Sequence, residues 1–385
     1  MTHDIVVIGS GISGATIAER YARVLNKKVL VIEKRDHVGG NCYDFYDDAG
    51  ILVSKYGAHL FHTNDKNVWK YLQMFSAWKP YAHTVLSSVD GILVPVPVNI
   101  TTVNLLFNLH VQTEEEMRQW LKTQIVKIDH PANSEELALS RVGKTLYEKL
   151  FKNYTIKQWN TNPKNLDESV IGRIPVRTNF DTRYFSDKYQ AMPKLGYTEL
   201  FKKMLSHPNI TIQLNTDYFK IKDSLKGFEK LFFTGPIDLY FQKKSTKKLG
   251  YRSLRFEFET FDFPYYQTNS VINYPNDREY TRILEFKHMY QQKHPKTTIA
   301  KEYPTWDGEP YYPVLSKENL ALYEFYKRQA DLETKKGVYF VGRLANYKYF
   351  NMDRAFSNAL NLFYSLNPHL DKIKNLDYNK TSGKA

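Results

Sequence analysis

A glycine-rich turn near the start of the chain constrains the fold more than any other sequence feature. The apolar residues 5–8 (IVVI) predict a short buried parallel strand, and the run 9–14 (GSGISG) follows at once. Residues 15–25 have a helical pattern, and residues 28–32 predict a second buried strand that ends at Glu33. A strand, a glycine turn, a helix and a second strand in this order are typical of a dinucleotide-binding α/β unit.

Each residue of this turn has a separate physical role. Gly9 permits the tight turn, Gly11 lets a pyrophosphate approach the backbone, and Gly14 lets the helix pack closely on the strand. Glu33 follows Gly14 by 19 residues, which is the spacing of a carboxylate that accepts a hydrogen bond from a ribose hydroxyl. A 2′-phosphate would be repelled there, so we expect FAD or NAD and not NADP. The alternative is a glycine-rich turn in a different α/β fold.

The composition leaves several ligand classes open. The 385 residues are 42% hydrophobic and 25% charged, which is typical of a globular protein and excludes disordered and fibrous classes. Lys and Arg number 54 against 41 Asp and Glu, which gives a net charge of +13, and 15% of the residues are aromatic. A basic, aromatic-rich surface suits nucleic acid, an anionic membrane or an anionic small ligand.

The chain has one cysteine, Cys42, which excludes an internal disulfide and a cysteine-based zinc site. A single cysteine fits a reducing compartment, so we expect a cytoplasmic protein. The longest apolar run, 92–109, is interrupted by prolines and asparagines, and no run reaches the roughly 18 apolar residues of a membrane-spanning helix. We therefore expect no integral membrane segment.

Further segments carry a resemblance to a known family. The run 33–41 combines an acid, a basic pair and a double glycine, as FAD proteins do. Five more segments follow in order: 55–63 (KYGAHLFHT), 154–159 (YTIKQW), 173–193 (RIPVR, then YF and QAMP), 281–288 (TRILEFKH) and 342–349 (GRLANYKY). Together they resemble the UDP-galactopyranose mutase family from Asp4 to about Leu366, which is nearly the whole chain.

The resemblance implies an isomerase that uses a flavin without net redox change. Such enzymes interconvert the pyranose and furanose rings of UDP-galactose for cell-surface polysaccharide. N5 of reduced FAD attacks the anomeric carbon, UDP leaves, and the covalent flavin–sugar adduct opens and recloses through another hydroxyl. The resemblance also implies NAD(P)H as the external reductant, a UDP-sugar as the ligand and a homodimer as the assembly.

The resemblance and the sequence pattern together predict a discontinuous domain organisation. The fold class is α/β, with a Rossmann-type FAD-binding domain, a helical insert and an antiparallel substrate sheet. We predict these consecutive regions: a first segment of the FAD-binding domain at 1–80, a helical insert and dimer face at 81–150, a substrate loop and sheet segment at 151–195, a second segment of the FAD-binding domain at 196–240, the antiparallel substrate sheet at 241–335, a third segment of the FAD-binding domain at 336–370, and a polar tail at 371–385.

The resemblance also assigns site residues. His62, Arg173 and Arg282 are implied to be catalytic, the arginines because a leaving diphosphate suits planar, permanently charged groups. The implied substrate contacts are Phe151, Tyr154, Gln158, Trp159, Arg173, Tyr184, Asn273, Arg282, Tyr311, Tyr312 and Tyr349. The implied cofactor contacts are Gly9, Gly11, Ser13, Gly14, Glu33, Lys34, Gly40, Asn41, His59, His62, Gly342, Arg343, Tyr349, Asn351 and Met352.

Each of these assignments has a structural alternative. Either arginine could form a surface ion pair, and Glu285 is a conceivable partner for Arg282 in the same predicted strand. The aromatic residues could be core residues. His62 could be a buried histidine satisfied by the core, and its i, i+3 spacing from His59 could indicate a metal site. We see no third ligand for a metal and expect none.

Two departures from the family pattern leave the sugar open. Asn351 stands where an Asp is common, and the segment 273–282 is about one residue short. UDP-N-acetylgalactosamine and a dTDP-deoxysugar are therefore alternative substrates. An amine-oxidase-like FAD oxidoreductase is a weaker alternative, because a neutral amine needs no arginine pair. A nucleic-acid binder is weaker still, because the chain has no long basic block or nucleic-acid motif.

Overall fold

A computed structural model describes residues 3–242 and 247–370 of the chain. Its strands are β1 (Ile5–Ile8), β2 (Val29–Ile32), β3 (Asp44–Tyr46), β4 (Leu52–Ser54), β5 (Phe61–Thr63), β6 (Trp78–Pro80), β7 (Val85–Val89), β8 (Ile92–Val96), β9 (Tyr189–Pro193), β10 (Ile210–Gln213), β11 (Lys230–Phe233), β12 (Tyr251–Phe261), β13 (Val271–Asn273), β14 (Arg282–Glu285), β15 (Thr297–Thr305), β16 (Tyr312–Pro313) and β17 (Val338–Phe340).

The same ranges contain thirteen α-helices, and a π-helical turn at Tyr147–Lys152 precedes one of them. They are α1 (Ile12–Leu25), α2 (Lys66–Gln73), α3 (Ile100–Phe107), α4 (Glu114–Gln124), α5 (Ser134–Leu146), α6 (Asn153–Trp159), α7 (Ser169–Gly172), α8 (Tyr197–Met204), α9 (Tyr218–Ile221), α10 (Ile237–Tyr240), α11 (Phe286–Tyr290), α12 (Lys317–Thr334) and α13 (Met352–Leu366). None of the described helices is long and apolar enough to span a bilayer.

A parallel sheet of order β10-β2-β1-β11-β17 forms the first layer. Its central strand β1 pairs in register with β2 and β11, so that Val7 lies beside both Val31 and Phe232. Every residue of β1 and β2 is buried, as expected for strands covered on both faces. Helices α1 and α13 contact each other closely. The predicted α/β fold with a discontinuous nucleotide-binding sheet is confirmed.

A second sheet has the order β16-β12-β15-β14-β13-β7-β8. Its neighbours are antiparallel except for β13 and β7, which run parallel. The predicted antiparallel sheet is therefore confirmed, and it also includes β7 and β8. A smaller sheet of order β5-β9-β6 connects residues near position 62 to residues near position 190.

The prediction of a helical insert over 81–150 is wrong at its start. Residues 85–96 form the hairpin β7–β8, which extends the second sheet. Asp90 and Gly91 both have positive φ, 52° and 80°, which is the backbone of a tight hairpin turn. Within this region, α3, α4 and α5 follow the predicted helical pattern. Helix α5 ends at Leu146, and the chain continues as the π-helical turn.

The segment predicted as an antiparallel sheet over 241–335 also needs a correction. Its C-terminal stretch is the 18-residue helix α12, which contacts β17 of the parallel sheet. The tail predicted at 371–385 lies outside the described residues. The remaining domain boundaries stay predictions.

Candidate active site

The first cleft lies at the carboxyl ends of β1 and β2, where parallel α/β sheets bind ligands. It has a volume of about 370 Å³. Most of the predicted cofactor contacts line it: Gly9, Gly11, Ser13, Glu33, Lys34, Gly40, Asn41, His59, Gly342, Arg343 and Met352. Gly14 does not line the cleft, because it lies where α1 packs on the turn; a Cβ there would stand 1.9 Å from the carbonyl oxygen of Gly9.

The Glu33 carboxylate is held in place at the end of β2. One oxygen accepts hydrogen bonds from the Ser10 amide at 2.9 Å and the Ser10 hydroxyl at 2.8 Å, and the other accepts from the Arg35 amide at 3.0 Å. The side chain is buried but faces the cleft. Lys34 extends outward to an ion pair with Glu309 at the cleft rim. This edge therefore presents a fixed acid to a ribose and fits a dinucleotide.

A second cleft of about 570 Å³ opens next to the first. All the predicted substrate contacts line it: Phe151, Tyr154, Gln158, Trp159, Arg173, Tyr184, Asn273, Arg282, Tyr311, Tyr312 and Tyr349. His62 and Asn351, predicted as cofactor contacts, also lie in this cleft. The two clefts meet at five shared lining residues: Asn41, His59, Tyr311, Arg343 and Met352.

Four arginines line the second cleft, Arg141, Arg173, Arg282 and Arg343, and two of them are the predicted substrate contacts. Arg173, just after α7, places its guanidinium over the Tyr349 ring at 4.6 Å from the centroid. Arg282 begins β14 and donates to the Glu302 carboxylate at 2.7 Å across the sheet. The alternative pairing of Arg282 with Glu285 is therefore wrong, because Glu285 points away to the backbone amides of Tyr266 and Gln267.

The ion pair does not saturate Arg282. Its Nε is buried without a hydrogen-bond partner among the described residues. The side-chain oxygen of Asn273, which lies opposite Arg282 on β13, is likewise buried and has no partner in the described ranges. Unsatisfied buried polar atoms cost free energy, so these two positions indicate where a polar ligand binds.

Aromatic rings form one wall of this cleft. The ring centroid of Trp159, at the end of α6, lies 5.8 Å from that of Tyr349 and 6.2 Å from that of Tyr312. Tyr312 and Tyr349 are themselves 5.5 Å apart. Trp159 is buried and packs against Leu166 and Val314 as well, so it is both a core residue and a cleft residue. The phenol groups of this wall provide hydrogen-bond donors beside the two arginines.

The two histidines of segment 55–63 do not face each other as ligands of one ion. His62 Nδ1 lies 2.7 Å from the Asp187 carboxylate, whereas His59 Nδ1 lies 3.0 Å from the carbonyl of Gly57. Desolvation in the cleft wall, aided by Arg343 and Arg282, lowers the pKa of His59 to about 4. No three metal-ligating side chains cluster anywhere within residues 3–242 and 247–370.

Sequence reasoning missed several residues of the second cleft. Asp187 and Phe185 contact His62, Glu302 binds Arg282, and His83 lies buried beside Phe185. Phe185 and Asp187 lie in segment 173–193, which carries the family resemblance. The sequence signal for Asp187 is that a buried histidine needs a hydrogen-bond partner. Glu302 had no such signal, because its pairing depends on the register of β14 and β15.

The fold and the two clefts define a class: a protein with a Rossmann-type dinucleotide cleft that opens into an arginine- and tyrosine-lined cleft. The family model of the NAD(P)-binding Rossmann-like domain matches residues 7–75, and the family model of UDP-galactopyranose mutase matches residues 149–349. The chain belongs to the UDP-galactopyranose mutase family.

Similar proteins agree with this membership over nearly the full length. A probable UDP-galactopyranose mutase of Klebsiella pneumoniae is 38% identical, and the match covers 93% of each chain. A dTDP-fucopyranose mutase of Escherichia coli is 36% identical, covering 92% of this chain and 96% of the relative. The solved structure of a reduced UDP-galactopyranose mutase has a TM-score of 0.75 at 14% identity, covering 100% of this chain and 98% of that one, which shows the fold.

Proposed function

We propose that this protein interconverts UDP-galactopyranose and UDP-galactofuranose. The observation that carries the proposal is the junction of the two clefts, where residues of the glycine-turn domain and residues of the arginine-lined cleft form one continuous surface. A dinucleotide cofactor in the first cleft and a nucleotide sugar in the second would meet there. Membership of the family supplies the reaction type.

FAD is the cofactor that we propose for the first cleft. Gly11 would let a pyrophosphate approach the backbone, Glu33 would hold the adenosine ribose, and Arg343 and Met352 would lie beside the flavin ring. When bound and reduced, FAD would supply the N5 nucleophile that bonds covalently to the anomeric carbon as UDP leaves. The N-terminal end of α13, a 15-residue helix, would favour negative charge near Asn351 and Met352.

The protein's own contribution is to bind the diphosphate and stabilise it as a leaving group. Arg173 is solvent-exposed and Arg282 is partly buried, so that one can engage the ligand from the open side and the other from the sheet. Guanidinium groups are permanently charged and form bidentate hydrogen bonds with phosphate oxygens. Their stabilisation counts most when UDP carries its full charge in the transition state.

The nucleoside end of the substrate would lie along the aromatic wall. Tyr154 and Trp159 are on α6, and Phe151 is in the π-helical turn before it. Stacking a uracil on rigid rings costs little conformational entropy. Tyr184 and Tyr349 would then place their hydroxyls beside the phosphates. This arrangement orients the sugar toward the junction and the cofactor.

A dTDP-linked deoxysugar is the second candidate substrate. The Escherichia coli relative named as a dTDP-fucopyranose mutase is nearly as similar as the Klebsiella pneumoniae relative named for UDP-galactopyranose. Asn351 lines the second cleft, and its side chain does not cap α13, so its amide is available to a ligand. An amide in place of a carboxylate changes which sugar hydroxyls can donate to this position.

The rest of the proposal follows from the family. The reductant is NAD(P)H, the protein acts in the cytoplasm as a homodimer, and the furanose product supplies cell-surface polysaccharide. The amine-oxidase-like alternative is weaker, since the solved putrescine oxidase structures share only the fold at 11–12% identity and TM-scores of 0.57–0.59.

The test is to incubate dithionite-reduced, FAD-loaded protein with a panel of UDP- and dTDP-sugars and to separate pyranose from furanose forms by chromatography. We expect interconversion of UDP-galactose forms on the reduced protein, without consumption of stoichiometric reductant. Conversion of a dTDP-sugar alone would move the proposal to the second substrate. Steady turnover by oxidised protein, or no conversion of any nucleotide sugar, would refute it.

A further inference from the structure

We infer that Asp187 is a positioning residue that holds His62 in one tautomer, with the proton on Nδ1 and the Nε2 lone pair facing the second cleft. The inference rests on the proposed function and deepens it. The Nδ1 atom lies 2.7 Å from a carboxylate oxygen of Asp187. An ionised carboxylate only accepts hydrogen bonds, so Nδ1 must carry the proton.

Ring stacking, in addition to this hydrogen bond, fixes the orientation of the imidazole. The Phe185 ring stacks on it with centroids 3.5 Å apart and an interplanar angle of 13°. Stacking on one face and a hydrogen bond at one edge leave the ring little freedom to rotate. His62 is 7% exposed, so only a small part of the residue is accessible to a ligand in the cleft.

The segment that carries Asp187 is tied to the strand that carries His62. His62 on β5 stands opposite Gln190 on β9, and the Gln190 side-chain amide donates to the carbonyls of Asp187 at 2.8 Å and Phe185 at 3.3 Å. The Lys188 amide donates to the Asn64 side chain at 2.8 Å. The position of Asp187 relative to His62 is therefore set by contacts on both sides of the pair.

The other ring nitrogen is left open. His62 Nε2 makes no hydrogen bond to any of the residues that the structure describes, and His62 and Asp187 both line the second cleft. In the Nδ1–H tautomer that we infer, Nε2 would accept a hydrogen bond from a sugar hydroxyl or from an N–H group of the cofactor at the junction. Without Asp187, the imidazole could place its proton on Nε2 and present a donor instead.

Residues 173–187 connect Arg173, the arginine proposed to bind the diphosphate, with Asp187, the partner of His62. Arg177 donates to the carbonyls of Arg183 at 2.7 Å and Phe185 at 3.5 Å, and the Tyr184 amide donates to the carbonyl of His83 at 2.7 Å. Residues 173–187 therefore carry a diphosphate arginine at one end and the partner of His62 at the other. A carboxylate that orients a histidine through its second nitrogen is a known arrangement in enzymes, and removing it alters the tautomer.

The experiment compares Asp187→Ala and Asp187→Asn with a matched control, Asp181→Asn. Asp181 lies in the same segment and pairs with Arg177 and Arg183, not with His62. The FAD-loaded protein is labelled with ¹⁵N-histidine, and the His62 ring signals are assigned with His62→Gln. We expect a single Nδ1–H tautomer in the wild type and in Asp181→Asn, and a mixed or Nε2–H population in both Asp187 variants.

The same variants are then assayed with UDP-galactopyranose on reduced protein. We expect kcat of the Asp187 variants to fall by about 10- to 100-fold, within the contribution of a positioned proton-handling group, while KM changes by less than about threefold because the diphosphate contacts remain. Should Asp187→Ala fail to fold, the nearly isosteric Asp187→Asn decides the result.

Unchanged His62 ring signals in the Asp187 variants would overturn the inference, as would a kcat within about threefold of the wild type. A loss equal to that of Asp181→Asn would also overturn it, since it would show only a general effect on the segment. If the wild type converts no nucleotide sugar, the proposed function fails, and the ring signals alone still decide whether Asp187 sets the tautomer.

Discussion

Arg282 has a structural role beside the ligand-binding role that we propose for it. Its guanidinium is paired with Glu302, which is fully buried, and its buried Nε has no partner among the described residues. We predict that Arg282→Ala lowers kcat for the UDP-sugar by about 10²–10³-fold, the loss typical of removing one donor from a developing anion. Steady-state kinetics on reduced protein measure this loss.

The buried carboxylate complicates that variant and also provides its control. Arg282→Ala leaves Glu302 charged and uncompensated, which costs about 3–5 kcal/mol of stability. The double variant Arg282→Ala with Glu302→Gln removes that charge, so the melting temperature should recover while kcat stays low. Recovery of both would show that the arginine matters only for folding.

His83 should make the stability of the protein depend on pH. It is 4% exposed, and burial, with Arg282 and His62 nearby, lowers its pKa to about 3. The unfolded chain binds a proton at His83 below about pH 6.5, but the folded chain does not until about pH 3. The unfolded state therefore gains protons first, and the free energy of unfolding falls as the pH falls between these values.

We predict that proton binding to His83 in the unfolded chain lowers the free energy of unfolding by about 2 kcal/mol between about pH 7 and pH 5. Urea denaturation of the wild type and of His83→Gln at both pH values measures this change. Glutamine is chosen because it can keep the hydrogen bond between position 83 and the Tyr81 hydroxyl, which is 3.2 Å long in the structure. The difference between the two proteins should shrink by that amount at the lower pH. A constant difference would mean that His83 titrates normally in the folded protein.

The turn between β1 and α1 uses two of its glycines for different purposes. A Cβ on Gly11 would have its nearest contact at 3.6 Å, on Gly40, and φ there is −73°, so alanine is tolerated by the protein itself. A Cβ on Gly14 would stand 1.9 Å from the Gly9 carbonyl oxygen, an overlap that requires α1 to move.

We therefore predict opposite outcomes for two conservative substitutions. Gly11→Ala should keep the wild-type melting temperature without cofactor but bind FAD at least about tenfold more weakly, because its methyl group enters the pyrophosphate space. Gly14→Ala should lower the melting temperature with or without FAD. Flavin fluorescence and thermal unfolding check both, and wild-type FAD affinity in Gly11→Ala would contradict the assigned role.

The strand missed at the start of the predicted insert shows what local patterns can and cannot give. Asp90-Gly91 stands between the short runs 85–89 and 92–96 and is a hairpin signal in the sequence itself, so the hairpin could be predicted from local sequence. Its attachment to β13 was not readable, since that pairing joins residues nearly 190 positions apart and has no local signature. The predicted helical insert over 81–150 therefore includes residues 92–96, which form a strand.

The site is assembled from segments far apart in the sequence. The dinucleotide cleft draws residues from 8–42, 59, 216–239, 309–311 and 342–355, and β1 lies between strands that are about 200 residues apart along the chain. Motif resemblance pointed to residues that line the two clefts, and their ligand contacts stay predictions. It did not identify Asp187, Glu302 or His83, because supporting partners are fixed by strand register and packing.

The net charge of +13 is much larger than the charge of the two arginines that we propose for the diphosphate. A surplus of positive charge raises the local concentration of an anionic substrate and the rate of its capture, and salt screens that field. We predict that kcat/KM for the UDP-sugar falls by about three- to tenfold between about 20 and 200 mM NaCl, with little change in kcat. Inhibition by UDP should weaken in parallel, whereas inhibition by uridine, which has no phosphate, should not depend on salt. A kcat/KM that is constant across the salt series would show that the excess charge does not contribute to substrate capture.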